Sequence, residues 1–125
     1  MDDETRARQG TAIRREVLGN DHVDRAIAGT NAFTAPFQDF ITRYAWGDIW
    51  SRPALSRAER SMITLTALAT LRQDEELAMH VRAALANGLS PSQIQEVLLQ
   101  VAVYAGVPAA NRAFAIAAEV LENAT

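Results

Sequence analysis

The sequence predicts an all-α fold, and three observations support this. Apolar residues recur at intervals of three and four along most of the chain, which is the period of a helix buried on one face. No segment shows the period-two alternation of a half-buried strand. Helix start and stop signals are clear, with two serine capping boxes and several well-placed glycines. At 125 residues we expect one domain over residues 1–125, a compact bundle of about six helices.

The amino-terminal segment predicts two helices. Residues 2–18 are rich in Glu, Arg and Ala, and a modest apolar face that includes Ile13 predicts a helix ending at Gly19. A turn follows, and Asp21 is a candidate cap for a short helix that Gly29 closes. We interpret this segment as a packing arm.

The stretch 33–50, FTAPFQDFITRYAWGDIW, holds six of the eight aromatic residues. Its first part has aromatic residues at helical spacing, and we expect the core to account for them. The WGDIW segment then places Trp46, Trp50 and a carboxylate at a helix end, with Arg43 one turn earlier. Two interpretations stay open: simple packing, or the aromatic wall of a small-molecule pocket. The aromatic residues expected in the core are Phe37, Phe40 and Tyr44.

Two capping boxes mark helix starts in the second half of the chain. Ser56 is followed by Glu59, and Ser90 by Gln93, which is the spacing of reciprocal side-chain and backbone hydrogen bonds. The helix from Ser56 to about residue 72 is apolar nearly all round, so we expect it to be the central helix of the fold. The next helix, from residue 74 to 87, ends at Gly88.

The last two predicted helices have apolar faces that must pack against other parts of the protein. The helix after Ser90 is apolar on two sides, because Leu99 and Val103 lie opposite its main stripe. We expect its own core on one side and a neighbouring subunit on the other. The final helix begins after Gly106. Its expected buried stripe consists of Phe114, Ala117, Ala118 and Leu121.

The composition excludes several chemistries. Without cysteine, there are no disulfides, thiol peroxidase chemistry, cysteine nucleophiles or thiolate metal sites. Without lysine, a Schiff base is excluded, and arginine must carry any anion recognition. Two histidines are too few for a three-histidine zinc site within one chain. The net charge of -3 disfavours nucleic acid or an anionic membrane as a partner.

Membrane insertion and export are also not expected. The longest apolar run, residues 62–71, is too short to span a bilayer. The amino terminus is charged and does not have the form of a signal peptide. We therefore expect a cytoplasmic protein.

The residues with candidate chemistry are few. Glu76 and His80 lie at i, i+4 spacing on one flank of a helix, beside its apolar stripe. They form either a half-exposed ion pair or a functional acid and its orienting carboxylate. His22, next to a helix start, is either a locally bonded surface histidine or a site residue. Arg60 lies in the first turn of a helix, where a cation is mildly unfavourable, which suggests an anionic partner.

Several stretches resemble the carboxymuconolactone decarboxylase family over nearly the whole chain. HVRAALANGLSPSQIQEVLLQVAVYAGVPAANRAF resembles the pattern of the wider superfamily, which includes alkylhydroperoxidase-type proteins. RREVLGNDHVDRA and FQDFITRYAWGDIWSRPAL resemble the decarboxylase branch itself. In the peroxidase branch a cysteine pair precedes the histidine that aligns with His80, and Gln73 and Glu76 stand at those places here. The resemblance therefore implies the cysteine-free branch, an all-helical fold and a ring-shaped homo-oligomer, commonly a hexamer.

The resemblance also implies a reaction. That reaction is the decarboxylation of 4-carboxymuconolactone, a lactone dicarboxylate, to the 3-oxoadipate enol-lactone in protocatechuate breakdown. The electrons left by carbon dioxide delocalise onto the lactone carbonyl, so we expect no cofactor. Two different functions stay open beside it: a non-catalytic helical oligomer on the same scaffold, or a decarboxylase or isomerase acting on another small lactone.

With that substrate, the candidate residues take roles. Arg43 and Arg60 are candidates for holding the two carboxylates. His80 is the candidate general acid, or donor to the lactone oxygen, with Glu76 orienting its ring. His22 stays a candidate because it lies in a stretch specific to the decarboxylase branch. An aromatic wall that keeps water away is expected from Trp46, Trp50 and Tyr104.

Overall fold

The computed structural model describes residues 1–124, and every regular element in that range is a helix. Residues 35–49 form one continuous helix that changes from α to π geometry, so the described range holds seven helices rather than about six. The elements are α1 (Asp3–Leu18), α2 (Asn20–Ala28), α3 (Ala35–Phe40) continued by a π-helix (Ile41–Ile49), α4 (Arg57–Thr70), α5 (Asp74–Ala86), α6 (Pro91–Ala105) and α7 (Val107–Asn123).

The packing of the chain divides it into two compact units. The amino-terminal unit, residues 1–55, contains α1, α2, α3 and the π-helix. The carboxyl-terminal unit begins at Ser56 and contains α4 to α7. The expectation of one domain over residues 1–125 stays a prediction.

The amino-terminal unit is built on close packing of α1 against the π-helix. A side chain at Gly10 would overlap the carbonyl oxygen of Thr42, and one at Gly47 would overlap the carbonyl oxygen of Arg6. The Gln9 Nε2 also donates a hydrogen bond of 3.1 Å to the Gly47 carbonyl oxygen. The two backbones therefore approach each other closely because both contact positions lack a side chain.

The first two helices start largely where the sequence predicts. Asp2 caps α1, its Oδ1 accepting a hydrogen bond of 2.7 Å from the Thr5 backbone N–H. The expectation that Asp21 caps α2 is wrong, because α2 already begins at Asn20 with Gly19 at the cap position. Gly19 has a φ of +91°, which glycine adopts without strain, so α1 ends and α2 begins at one residue.

The three aromatic residues expected in the core, Phe37, Phe40 and Tyr44, are not buried there. Phe37 and Phe40 are 59% and 55% exposed, Tyr44 is 37% exposed, and α3 buries no residue. The reason is that α1 packs on the side that carries Thr42 and Gly47. Close approach selects the small residues as the contact face, so the large aromatic side chains point elsewhere.

The carboxyl-terminal unit confirms both capping boxes. The Ser56 hydroxyl accepts from the Glu59 N–H at 3.1 Å, and the Glu59 carboxylate accepts from the Ser56 N–H at 2.8 Å. Ser90 and Gln93 make the same pair of bonds, at 3.1 and 2.9 Å. Gly88, with a φ of +101°, follows α5 as predicted. The core of this unit is formed mainly by Leu65, Ala69, Leu77, Val81, Ala84, Leu89, Ile94, Leu98, Val101, Ala110, Ala113, Ile116, Ala117 and Val120.

One expectation about this core is wrong and another holds only in part. The helix α4 packs against α5, α6 and α7, but it is not enclosed on all sides, since Ile63 is 57% exposed. The helix α7 buries more positions than α4, but on a different face from the one expected, because Ala118 is exposed and Phe114 is only half-buried. Small residues let α7 approach its neighbours closely, so its alanines occupy the contact face. The buried residues of α7 are Ala109, Ala110, Ala113, Ile116, Ala117 and Val120.

Candidate functional site

The eight residues that the sequence selects divide equally between the two units. His22, Arg43, Trp46 and Trp50 belong to the amino-terminal unit. The other four, Arg60, Glu76, His80 and Tyr104, belong to the carboxyl-terminal unit.

The WGDIW segment ends a π-helix, a feature that sequence periodicity does not reveal. The Trp50 N–H donates to the Ala45 carbonyl oxygen five residues earlier, at 2.9 Å. Trp46 and Trp50 lie against each other with ring centroids 5.1 Å apart and planes tilted by 30°. Trp46 is buried and Trp50 is half-buried, so Trp50 is the indole with surface left for a ligand. Turns of π geometry are rare and occur frequently at functional sites.

Arg43 lies on the π-helix, held by an aromatic neighbour. Its guanidinium carbon is 5.7 Å from the centroid of the Tyr44 ring, and the guanidinium carbon of Arg6 lies at the same distance from that ring. Arg6 pairs with the carboxylate of Asp3 at 3.1 Å, whereas Arg43 makes no ion pair within residues 1–124. Arg43 is thus a positioned, half-buried cation whose charge is not neutralised there.

A second arginine in this unit was missed by the sequence reasoning. Arg14 lies on the buried face of α1 and is only 8% exposed. Burial of its guanidinium lowers the pKa of Arg14 from its ordinary value. A signal was present in the sequence: Arg14 occurs at helical spacing from Gly10 and Val17, a charge within the stripe that the helix buries.

Arg14 and Arg43 line the same groove of about 500 Å³ in the amino-terminal unit. Val23 and Ile27 of α2 form an apolar part of its wall. Asp39 is the one acidic residue among its lining residues. The remaining lining residues are Ala7, Thr11, Thr30, Gln38 and Thr42. The two arginines give the groove a net positive charge.

His22 is half-buried in the first turn of α2, as expected for a histidine next to a helix start. On the same helix, Asp24 forms an ion pair of 2.9 Å with Arg15 of α1. That ion pair helps fix α2 beside α1 and so fixes the position of His22.

His80 and Glu76 lie on α5, next to its core stripe. Leu77 and Val81 are buried, His80 is half-buried and Glu76 is exposed in the first turn. The flank that carries His80 becomes more enclosed one turn later, where Ala83 is 5% exposed. His80 is therefore placed at the boundary between core and surface. Glu76 also has a simpler role, because carboxylates in a first turn stabilise the helix dipole.

Arg60 and Tyr104 lie on different helices of the carboxyl-terminal unit. Arg60 is half-buried in the first turn of α4. Tyr104, on α6, is 84% exposed and lines a groove of about 580 Å³ between α4 and α6. This groove is mainly apolar, with Met62 and Ile63 on its α4 side.

The described part of the chain offers no preformed metal site. Among residues 1–124, no three His, Asp or Glu side chains lie close enough together to hold a metal ion. Nor does that range contain a helix with the length and apolar character needed to cross a membrane.

Comparison with known proteins places the chain in a family. The sequence model of the Carboxymuconolactone decarboxylase family matches residues 35–119. The chain is 45% identical over 123 residues to 4-carboxymuconolactone decarboxylase of Acinetobacter baylyi, which covers 98% of this chain and 92% of that protein. It is 36% identical over 115 residues to nitrosuccinic acid decarboxylase npaB of Metarhizium robertsii, which covers 92% and 80%. A stretch of 48 residues, 38% of this chain, is 48% identical to the full length of a 4-carboxymuconolactone decarboxylase sequence of Pseudomonas putida. The chain belongs to the carboxymuconolactone decarboxylase family.

Proposed function

We propose that this protein is a carboxy-lyase that decarboxylates 4-carboxymuconolactone to the 3-oxoadipate enol-lactone, a step of protocatechuate breakdown. The observation that carries the proposal is the 45% identity to 4-carboxymuconolactone decarboxylase over nearly the full length of both chains. The half-buried histidine and the positively charged groove are chemically consistent with an acid-base reaction of a dicarboxylate.

The substrate supplies its own electron sink. Its departing carboxylate is attached to the ring carbon beside the ring oxygen, and breaking the bond to carbon dioxide leaves an electron pair on that carbon. The pair shifts through the ring double bond onto the lactone carbonyl oxygen, giving a dienolate. A proton added to the carbon next to the carbonyl completes the enol-lactone. The protein has to bind two carboxylates, stabilise the developing oxyanion and deliver one proton.

His80 is the proposed proton donor, to the carbon or to the lactone oxygen. Histidine is the side chain that most often serves as a general acid or base, and the half-buried His80 keeps part of its ring accessible. Glu76, one turn earlier on the same helix, is the proposed orienting carboxylate.

The remaining candidate residues have binding roles. Arg43 and Arg60 are proposed to hold carboxylates. Trp50 and Tyr104 are proposed as aromatic wall, with Trp46 supporting Trp50 by the ring contact within their unit. His22 is proposed as an additional hydrogen-bonding residue of the substrate site.

A homo-oligomer, specifically a ring-shaped hexamer in the cytoplasm, completes the proposal. Its support is the second apolar side of α6, where Leu99, Val103 and Tyr104 are 48%, 78% and 84% exposed. An exposed apolar face of this kind on a helix is typical of a protein–protein contact. A second copy of the chain is the proposed occupant. We propose no cofactor and no nucleic acid partner.

A second candidate substrate is a nitro-substituted dicarboxylic acid. The 36% identity to a nitrosuccinic acid decarboxylase favours it. The chemistry is parallel, because a nitro group can accept, as a nitronate, the electron pair left when carbon dioxide departs from the carbon that bears it. Activity on a different small lactone, and a non-catalytic oligomer on the same scaffold, are the competing functions that the experiment below must separate from these two substrates.

The test is carbon dioxide release from freshly generated 4-carboxymuconolactone by the parent protein, His80→Ala and Glu76→Gln. Glu75→Gln, an exposed carboxylate on the same helix, is the matched control, and circular dichroism checks that every variant is folded. We expect release by the parent and by the control. His80→Ala should lose about 10²-fold or more, the usual size of a general acid effect.

Each remaining outcome selects a different function. Release that survives in His80→Ala would keep the decarboxylase but assign the proton donor to another residue. Release from nitrosuccinic acid alone would select the nitro acid, and no release from either acid by the folded parent would favour a different lactone or the non-catalytic scaffold.

A further inference from the structure

Two arginines line the positively charged groove of the amino-terminal unit, and the buried Nε of each has no hydrogen-bond partner within residues 1–124. We infer that Arg14 and Arg43 form a two-arginine carboxylate site, and that this site holds the carboxylate that the substrate keeps rather than the one that leaves. The identity of that substrate rests on the proposed function, whereas the existence of the carboxylate site does not.

Arg14 is a buried cation without a counter-charge. Its Nη1 donates a hydrogen bond of 3.1 Å to the uncharged Oε1 of Gln38, and its Nε is buried without a hydrogen-bond partner. No carboxylate within residues 1–124 lies at ion-pair distance from Arg14. Leaving the buried Nε–H of Arg14 without an acceptor is costly. An anionic ligand in the groove would supply the missing acceptor.

Arg43, which lies on the π-helix, also lacks a counter-charge within residues 1–124. Its Nε is also buried without a partner, while its guanidinium lies beside the ring of Tyr44. Contact with an aromatic ring restricts the planar guanidinium and leaves its edge donors available for a carboxylate. Both guanidinium groups line one groove, and arginine binds carboxylates through its paired N–H donors.

The other polar side chains of the groove are largely engaged. The hydroxyls of Thr11, Thr30 and Thr42 each donate to the backbone carbonyl oxygen four residues earlier, at 2.9, 2.8 and 2.7 Å. The remaining donors toward a ligand are therefore the two guanidinium groups and the amide of Gln38. Asp39 opposes an anion, so its carboxylate is expected to weaken the site and to disfavour anions that fit poorly.

The reaction chemistry decides which carboxylate the arginines hold. The departing group becomes neutral carbon dioxide, so an arginine bound to it would lose its partner as the transition state forms. Such binding would stabilise the substrate more than the transition state, so the pair of arginines is better placed on the other carboxylate, and only Arg60 is left for the departing group. The acetate-arm carboxylate keeps its charge throughout. Two arginines on that arm contribute binding and orientation without raising the barrier.

Binding of succinate, measured by calorimetry on the full-length protein, tests the site without any turnover. We expect Arg14→Met and Arg43→Gln to weaken succinate binding about 10- to 100-fold, the size expected for a charge-assisted hydrogen-bonded contact. Arg8→Gln, which removes an exposed arginine of α1 paired with Glu4, is the matched control and should bind as the parent does. Succinamide, without charge, should not bind measurably.

The same variants distinguish a ligand site from a structural contact. If Arg14 serves the fold, Arg14→Met should lower the free energy of unfolding; if it serves a ligand, removing an unpaired buried charge should leave that free energy unchanged or higher. Asp39→Asn should tighten succinate binding severalfold. If Arg14→Met does not fold, succinate binding by Arg43→Gln and Asp39→Asn tests the carboxylate site instead. Unchanged succinate affinity in both would overturn the inference, as would a folded Arg14→Met variant that binds like the parent.

Kinetics on the lactone and on its acetate-arm amide test which carboxylate is held. For Arg14→Met we expect KM for the lactone to rise tenfold or more with kcat changed only severalfold, and no difference from the parent on the amide. A defect that persists on the amide would show that the arginines hold the leaving carboxylate. If the parent releases no carbon dioxide, the proposed function fails, while succinate binding still decides the carboxylate site.

Discussion

Gly10 of α1 and Gly47 of the π-helix lie against each other where these two helices cross, and neither position has room for a side chain. A Cβ built at Gly10 would be 3.0 Å from the Gly47 backbone nitrogen and would overlap the carbonyl oxygen of Thr42. The atoms in the way are backbone atoms, which cannot rotate aside as a side chain can. This crossing sets the position of the helix that carries Arg43 and both tryptophans.

We therefore expect Gly10→Ala and Gly47→Ala to destabilise the protein. Alanine is the better helix former by up to about 1 kcal/mol, but overpacking typically costs about 1–3 kcal/mol, and here backbone must move. A net loss of about 2 kcal/mol in the free energy of unfolding is expected, measured by urea titration with tryptophan fluorescence. Gly29→Ala is the control, because its nearest contact would be an ordinary 3.5 Å. Equal stability of Gly10→Ala and Gly29→Ala would contradict the close crossing.

Ser61 offers a test of polar burial in the carboxyl-terminal unit. It is 2% exposed, and its hydroxyl has no hydrogen-bond partner within residues 1–124. Ser61→Ala should leave the free energy of unfolding unchanged or raise it by about 1 kcal/mol, because an unsatisfied buried hydroxyl is removed. Ser90→Ala, which removes a bonded cap of α6, should lower it by about 1 kcal/mol. A large loss of stability in Ser61→Ala would mean that the hydroxyl does have a partner in solution.

The lowered pKa of Glu59 predicts part of the loss of folding stability at low pH. The backbone N–H of Ser56, followed by the Ser56 side chain, lowers the pKa of Glu59 below its ordinary value of 4.5. Since the folded-state pKa is the lower one, the stabilisation is present above pH 4.5 and is lost as pH falls through the folded-state pKa. Glu59→Gln keeps a hydrogen-bond acceptor without the charge.

Urea titrations at about pH 7 and about pH 3, on either side of the carboxylate titration, check this expectation. The difference in unfolding free energy between the two pH values should be smaller for Glu59→Gln than for the parent protein. Glu96→Gln removes an exposed carboxylate that caps no helix, and serves as the control. A pH dependence of Glu59→Gln identical to that of the parent would show that the capping box does not contribute to acid unfolding.

The exposed apolar side of α6 predicts the effect of a charge there. Val103→Glu should shift the protein from the proposed oligomer toward the monomer, because burying an unpaired carboxylate in an interface is costly. Light scattering coupled to size-exclusion chromatography measures the mass. Ala86→Glu adds the same charge at an exposed position of α5 and should leave the mass unchanged. A parent that is already monomeric, or an unaltered Val103→Glu oligomer, would rule out this face as the contact.

Local patterns predicted where the helices start and stop. The capping boxes at Ser56 and Ser90 and the glycine after α5 depend on residues within one turn of each other, so adjacent sequence is sufficient to recognise them. The buried stripe of α5, with Leu77 and Val81, was predicted for the same reason. The family was also recognisable from stretches of sequence that match its pattern.

Only the tertiary structure decided which face of each helix is buried and which charges lack a partner. The aromatic residues of α3 are exposed because the close crossing at Gly10 selects small contact residues on the other side of that helix. Arg14 is buried because α1 turns that side inward, and periodicity alone does not say that a charge on the stripe will follow its apolar neighbours. The sequence by itself therefore determined most of the helices, the two serine capping boxes and the family. Contacts between distant segments determined how the π-helix packs against α1, and they formed the groove that Arg14 and Arg43 line.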